Sequence, residues 1–116
     1  MINMDRLSLH YRELTAVKEI VELLTGKYSF IKKIILYGSK ARGDFIEDSD
    51  IDMLFLLNDD IPRSLKREMY DIIYDKELSN DVVVTAILIP EKDFQGKINP
   101  FFKAVKREGI TLWKKE

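Results

Sequence analysis

Three features of the sequence predict an α/β domain in which helices pack on one small sheet. Apolar residues recur at helical spacing in several segments, short β-branched and aromatic runs lie between them, and the two kinds alternate along the chain. A length of 116 residues suits one domain spanning 1–116, and no internal repeat, low-complexity tract or linker divides it. Burial scaling at this size hides about two-thirds of the unfolded surface. That is enough for one core, with little left over to build a second binding domain.

The elements follow in order. Leu7, Tyr11, Leu14, Val17, Val21 and Leu24 step by threes and fours, which predicts an amphipathic helix ended by Gly26. Phe30–Tyr37 is short, β-branched and aromatic, and Gly38 halts it, so it is expected to be a strand. Ser39–Ser49 is polar and reads as a loop with one helical turn. Asp50–Leu57 is apolar nearly throughout, as a strand buried on both faces would be. Asn58–Pro62 combines turn chemistry with a helix start, and Leu65, Met69, Ile72 and Ile73 carry that helix to about Leu78. Ser79–Asn80 is expected to turn into a strand at Asp81–Leu88, stopped by Pro90. Residues 91–99 read as a loop, Pro100 opens a last helix closed by Gly109, and Ile110–Trp113 suits a short edge strand.

Composition narrows the function. The formal net charge is −1, without the excess of basic residues that phosphate-backbone binding uses, so direct nucleic-acid binding is not expected. Lys103, Lys106, Arg107, Lys114 and Lys115 form a local basic stretch that reads as a solvated face. The chain has no cysteine, which excludes disulfides, zinc–thiolate sites and thiol nucleophiles and suits a reducing compartment. Its one histidine, His10, has no nucleophile site around it and is expected on a helix surface. No run approaches the ~20 apolar residues of a membrane span, and no signal peptide is evident. A cytoplasmic location without a membrane partner is the expectation.

The chemistry lies in Gly38-Ser39-Lys40-Ala41-Arg42-Gly43, followed by Ser49-Asp50-Ile51-Asp52. Side chains alternate along a strand, so Asp50 and Asp52 share a face. Two carboxylates side by side repel unless a cation lies between them. Magnesium suits such a pair, because it takes one or two carboxylates and accepts phosphate oxygens at its other positions. The bland alternative makes both acids turn and strand-entry residues. Asp81, ahead of Val82-Val83-Val84, is expected to reach the same corner if the strands are neighbours; three acids there can hold two metal ions.

Gly38 permits close backbone approach to a ligand, and Ser39 with the amides after it can bind an anion. Arg42 either clamps a phosphate or pairs with Asp44 or Asp48, while Lys40 is expected to face solvent. Two other motifs fail. The spacing of a Walker phosphate loop is absent, and Asp48-x-Asp50-x-Asp52 meets Met53 where an EF-hand needs its turn glycine.

Gly38-Ser39, ten intervening residues and Asp50-Ile51-Asp52 resemble the signature of the DNA polymerase beta-type nucleotidyltransferases. The fuller run, together with Asp81-Val82-Val83-Val84 and the stretch from Pro100-Phe101 to Glu108-Gly109-Ile110, resembles the minimal nucleotidyltransferase (MNT) branch. The resemblance implies a mixed sheet flanked by helices, of the polymerase beta palm type. It further implies Asp50, Asp52 and Asp81 as metal ligands and catalytic acids, with two magnesium ions. Gly38 and Ser39 would hold the β- and γ-phosphates of ATP. AMP would pass to a hydroxyl, with a tyrosine of a partner HEPN-type toxin as the expected acceptor, and the chain would be an antitoxin. Two alternatives accompany this reading: transfer to a small hydroxylated molecule such as an aminoglycoside, or a binding antitoxin that works by occlusion alone.

Overall fold

A computed structural model describes residues 7–43, 49–96 and 99–116. Its elements are α1 (Tyr11–Lys27), β1 (Ile31–Tyr37), α2 (Ser39–Arg42), β2 (Ile51–Leu57), α3 (Arg63–Asn80), β3 (Val84–Pro90), α4 (Glu91–Gly96), α5 (Pro100–Glu108) and β4 (Ile110–Lys114). The four strands form one sheet in the order β3-β2-β1-β4. β1 is antiparallel to β2 and β4, whereas β2 and β3 are parallel and joined through α3. A parallel pair cannot be closed by a tight turn and needs such a crossover. The sheet is therefore mixed and flanked by helices, as the sequence led us to expect.

Alternation along β2 divides the apolar residues between two faces. Ile51, Met53, Phe55 and Leu57 join the core under α1 and α3, while Leu54 and Leu56 pack with Phe94 and Val105 on the side of α4 and α5. β2 is buried on both faces, which explains its unbroken apolar run. Asp52 shares the register face of Leu54 and Leu56, so the acid pair lies on the α4/α5 side of the sheet.

Several boundaries differ from expectation, each for a local reason. α1 begins at Tyr11, after His10, and its buried stripe is Ala16, Val17, Ile20, Val21 and Leu24 with Glu13; Tyr11 is exposed. Gly26 lies inside its last turn, and Tyr28 caps the helix in extended conformation. Residues 91–96, expected as loop, form α4. Only Phe94 of that helix is buried, so no apolar period marks it, although Glu91 and Asp93 supply the acidic first turn that favours a helix start. α5 starts on an Asn99 cap whose side chain accepts from the amides of Phe101 and Phe102, with Pro100 in the first turn. The expected edge strand forms as β4, and it pairs with β1. Lys103, Lys106, Arg107, Lys114 and Lys115 are all exposed. Among the described residues, no helix is long and apolar enough to cross a membrane.

Candidate active site

Pairing of β1 with β2 brings the two halves of the motif together. Tyr37, the last residue of β1, is the register partner of Asp52, and Gly38 follows directly into α2. Gly38 has φ +73° and ψ −158°, a backbone region that only glycine occupies comfortably. A Cβ at this position would lie 2.3 Å from Oδ2 of Asp52. The bare backbone is thus what lets the Asp52 carboxylate sit against the turn. The Ser39 hydroxyl donates to the Ser49 hydroxyl at 3.3 Å, tying that turn to the residue ahead of Asp50. In α2 the amides of Ala41, Arg42 and Gly43 are used within the turn.

Electrostatics single out Asp52. Burial raises its pKa first, the neighbouring Asp50 charge raises it further, and the Arg42 guanidinium opposes both. Burial first, and then the Asp52 charge, push the Tyr37 hydroxyl up to about 12, so Tyr37 stays protonated at neutral pH. An exposed Asp50 beside a half-buried Asp52 is an all-oxygen donor pair whose repulsion Arg42 offsets only in part, which fits a hard divalent cation.

Asp81 does not join them. It is the left-handed cap of α3, with φ +54° and ψ +53°, and its amide donates to the Glu77 carbonyl. Aspartate tolerates that conformation better than most residues, so its local role is to stop a helix rather than head a strand. β3 begins three residues later, at Val84. Its register sets Thr85 beside Asp52, and the Thr85 hydroxyl donates to Asp50 Oδ2 at 3.1 Å. Among the described residues no group of three or more carboxylate, histidine or cysteine donors is gathered closely enough to hold a metal ion. The expected corner of three acids is not formed in this geometry.

Arg42 pairs with Glu108 of α5 at 3.1 Å. Asp44 and Asp48, its expected partners, lie outside the described residues. Tyr37, Gly38, Arg42, Phe101, Ala104, Val105 and Glu108 line a cavity of about 210 Å³ beside the acid pair. Phe101 meets the Tyr37 ring edge-on, with centroids 5.3 Å apart, so α5 forms an aromatic wall on this side.

Lys40 contradicts expectation most sharply. It is fully buried rather than solvent-facing, and its ammonium meets Glu13 Oε2 at 2.5 Å. Glu13 also accepts from the His10 amide at 3.0 Å. This pair fastens α2, and with it the Gly38-Ser39 turn, to the first turn of α1. One sequence signal pointed to it: an acid in the first turn of a helix at an otherwise apolar-facing position, which needs a partner once buried.

The nucleotidyltransferase domain family model matches residues 17–108, and the chain belongs to that family. It is a nucleotidyltransferase. A Methanocaldococcus jannaschii protein provisionally named a protein adenylyltransferase is 42% identical over 100 residues, covering 84% of this chain and 95% of its own. A toxin–antitoxin crystal structure with AMP-PNP superposes with a TM-score of 0.62 at 21% identity, over 85% of this chain and 73% of its own. The complex of a tri-AMPylated Shewanella oneidensis HEPN toxin with its MNT antitoxin superposes with a TM-score of 0.56 at 20% identity. There, 90% of this chain and 73% of the other are covered. At these identities the two complexes establish the shared fold.

Proposed function

We propose that this protein transfers AMP from ATP to a hydroxyl of a partner protein, with a tyrosine of a HEPN-type toxin as the acceptor, and so serves as the antitoxin of a pair. The observation that carries the proposal is the seating of the Asp52 carboxylate against Gly38, which brings a glycine turn suited to a phosphate up to an acid pair from another strand. The relative named as a protein adenylyltransferase supports the reaction class. The AMPylated HEPN toxin in complex with a protein of this fold supports the acceptor class.

In this reading the acceptor hydroxyl gives up its proton to solvent, its oxygen bonds to the α-phosphorus, the bond from that phosphorus to the bridging oxygen breaks, and pyrophosphate departs. Gly38 and Ser39 hold the terminal phosphates, with the Ser39 hydroxyl turning from Ser49 towards them. Arg42 lies where it can add a bidentate contact, in exchange for Glu108. Asp50 and Asp52 would hold magnesium, which when bound neutralises charge on the phosphates. The cavity under Tyr37 and Phe101 suits a flat ring from the nucleoside. The chain's contribution is positioning and a fixed field rather than covalent catalysis.

The test is to purify the chain with the product of its neighbouring gene, add ATP and magnesium, and measure the masses of both proteins. The partner should gain whole AMP units, on tyrosine, and Asp50→Asn should abolish the gain. Identical spectra for the native chain and the variant would end the proposal. If AMP appeared instead on small hydroxylated molecules from a panel, the acceptor assignment would fail while the chemistry stood.

A further inference from the structure

We propose that the site engages one divalent ion rather than two, because among the described residues the positions on either side of Val84 that face the acid pair carry Val83 and Thr85. This inference rests on the nucleotidyltransferase reading above and refines it.

Parallel pairing fixes which residues can meet Asp50 and Asp52. Ile51 is the register partner of Val84, Asp52 of Thr85, and the Ile51 amide donates to the Val83 carbonyl. Ile51 and Val84 both point into the core under α1 and α3. By alternation, the side chains that flank Val84 emerge on the opposite face, the face of Asp50 and Asp52. They are Val83, 56% exposed, and Thr85, also exposed. The Thr85 hydroxyl already donates to Asp50 Oδ2.

A second ion close to the first needs added negative charge to offset repulsion between two dications, and a carboxylate shared across both usually supplies it. Here the neighbouring strand offers a methyl-bearing side chain and a neutral hydroxyl. Asp81, the acid closest to them in sequence, is the left-handed cap of α3, and among the described residues no third carboxylate gathers with the pair closely enough to hold a metal ion. Two carboxylates with the phosphates of one nucleotide complete the oxygen shell of a single magnesium-sized ion. Thr85 has a separate task. It holds Asp50 by a hydrogen bond where a third acid would have repelled it.

The readout is stoichiometry rather than turnover. The chain is saturated with an ATP analogue that cannot be cleaved at the α-phosphorus, and bound Mn2+ per retained nucleotide is counted by electron paramagnetic resonance. One ion per nucleotide is expected for the native protein. Val83→Asp and Thr85→Asp each place a carboxylate on the facing positions, and at least one should raise the count to two with native circular dichroism. Two ions in the native chain would overturn the inference, as would a count fixed at one in both folded variants. A chain that retains neither nucleotide nor ion would defeat the nucleotidyltransferase reading as well, a result distinct from retention with two ions.

Discussion

Gly38→Ala offers the most direct strike at the proposed site. The added Cβ would lie 2.3 Å from Asp52 Oδ2, and contacts under 3.0 Å are essentially never seen, so the carboxylate has to retreat by about 0.7 Å. The backbone is strained as well, because φ +73° with ψ −158° is glycine territory. That strain is worth about 1–3 kcal/mol. With an unfolding entropy of ~2.1 cal/mol/K per residue, a chain of this length loses roughly 4 °C of Tm per kcal/mol, giving a fall of roughly 4–12 °C. A misplacement of this order at the reacting centre corresponds to about 10²-fold in rate. Thermal melts by circular dichroism and single-turnover pyrophosphate release, measured well below Tm, separate the two effects.

Gly109→Ala supplies the control. Its Cβ would lie 2.5 Å from the Val105 carbonyl and 2.6 Å from Ile35, away from the acids. It should lower Tm while the folded fraction keeps a near-native rate. A Gly38→Ala protein with native turnover, or one no more impaired per folded molecule than Gly109→Ala, would refute the claim that the glycine exists to seat Asp52.

Three further predictions follow from the same geometry. Lys40→Met leaves Glu13 buried without its cation, a defect of about 3–5 kcal/mol, so Tm should drop by roughly 12–20 °C; adding Glu13→Gln, which keeps an acceptor for the His10 amide, should restore at least half of it. For Asp52 the folded pKa lies above the unfolded value of 3.8, so the folded chain binds that proton more tightly and loses stability as pH rises through the folded value. Asp52→Asn should therefore melt higher than the native protein at pH 7, lose that advantage as pH approaches 3.8, and be inactive; a lower Tm at pH 7 would contradict the burial and repulsion assigned to Asp52. Arg42→Ala removes an exposed pair with Glu108, and loss of such a pair should change stability by less than about 1 kcal/mol, while ATP affinity measured by calorimetry should weaken about tenfold if the guanidinium contacts phosphate. Unchanged affinity would leave Arg42 as the tie between α2 and α5.

Much of this protein could be read locally. Gly38 ends an apolar strand and opens a polar turn, and a left-handed φ with an adjacent carboxylate is the environment a bare Cα permits. Asp50 and Asp52 lead an apolar run whose alternation puts both on one face. α3, α5 and the edge strand also carry period, cap or boundary residues of their own. These features reside in a few consecutive residues, so neighbouring sequence was enough to find them.

Other features depend on contacts between residues distant in sequence. Asp81 looked like the head of a strand, yet the same residue is equally apt as the left-handed stop of α3, and the parallel register of β3 decides between them. α4 buries one side chain and therefore has no apolar period to announce it. Lys40 looked like an exposed cation in a polar loop, and only the packing of α2 on α1 gives it a buried partner. The sequence by itself determined the motif, its strands and the shared face of Asp50 and Asp52, because backbone preferences and side-chain alternation act over a few residues. Which acid meets which, and which charge is buried, only the tertiary structure decided. A parallel pairing closed through an 18-residue helix takes its register from core packing, not from the residues at the strand's own ends.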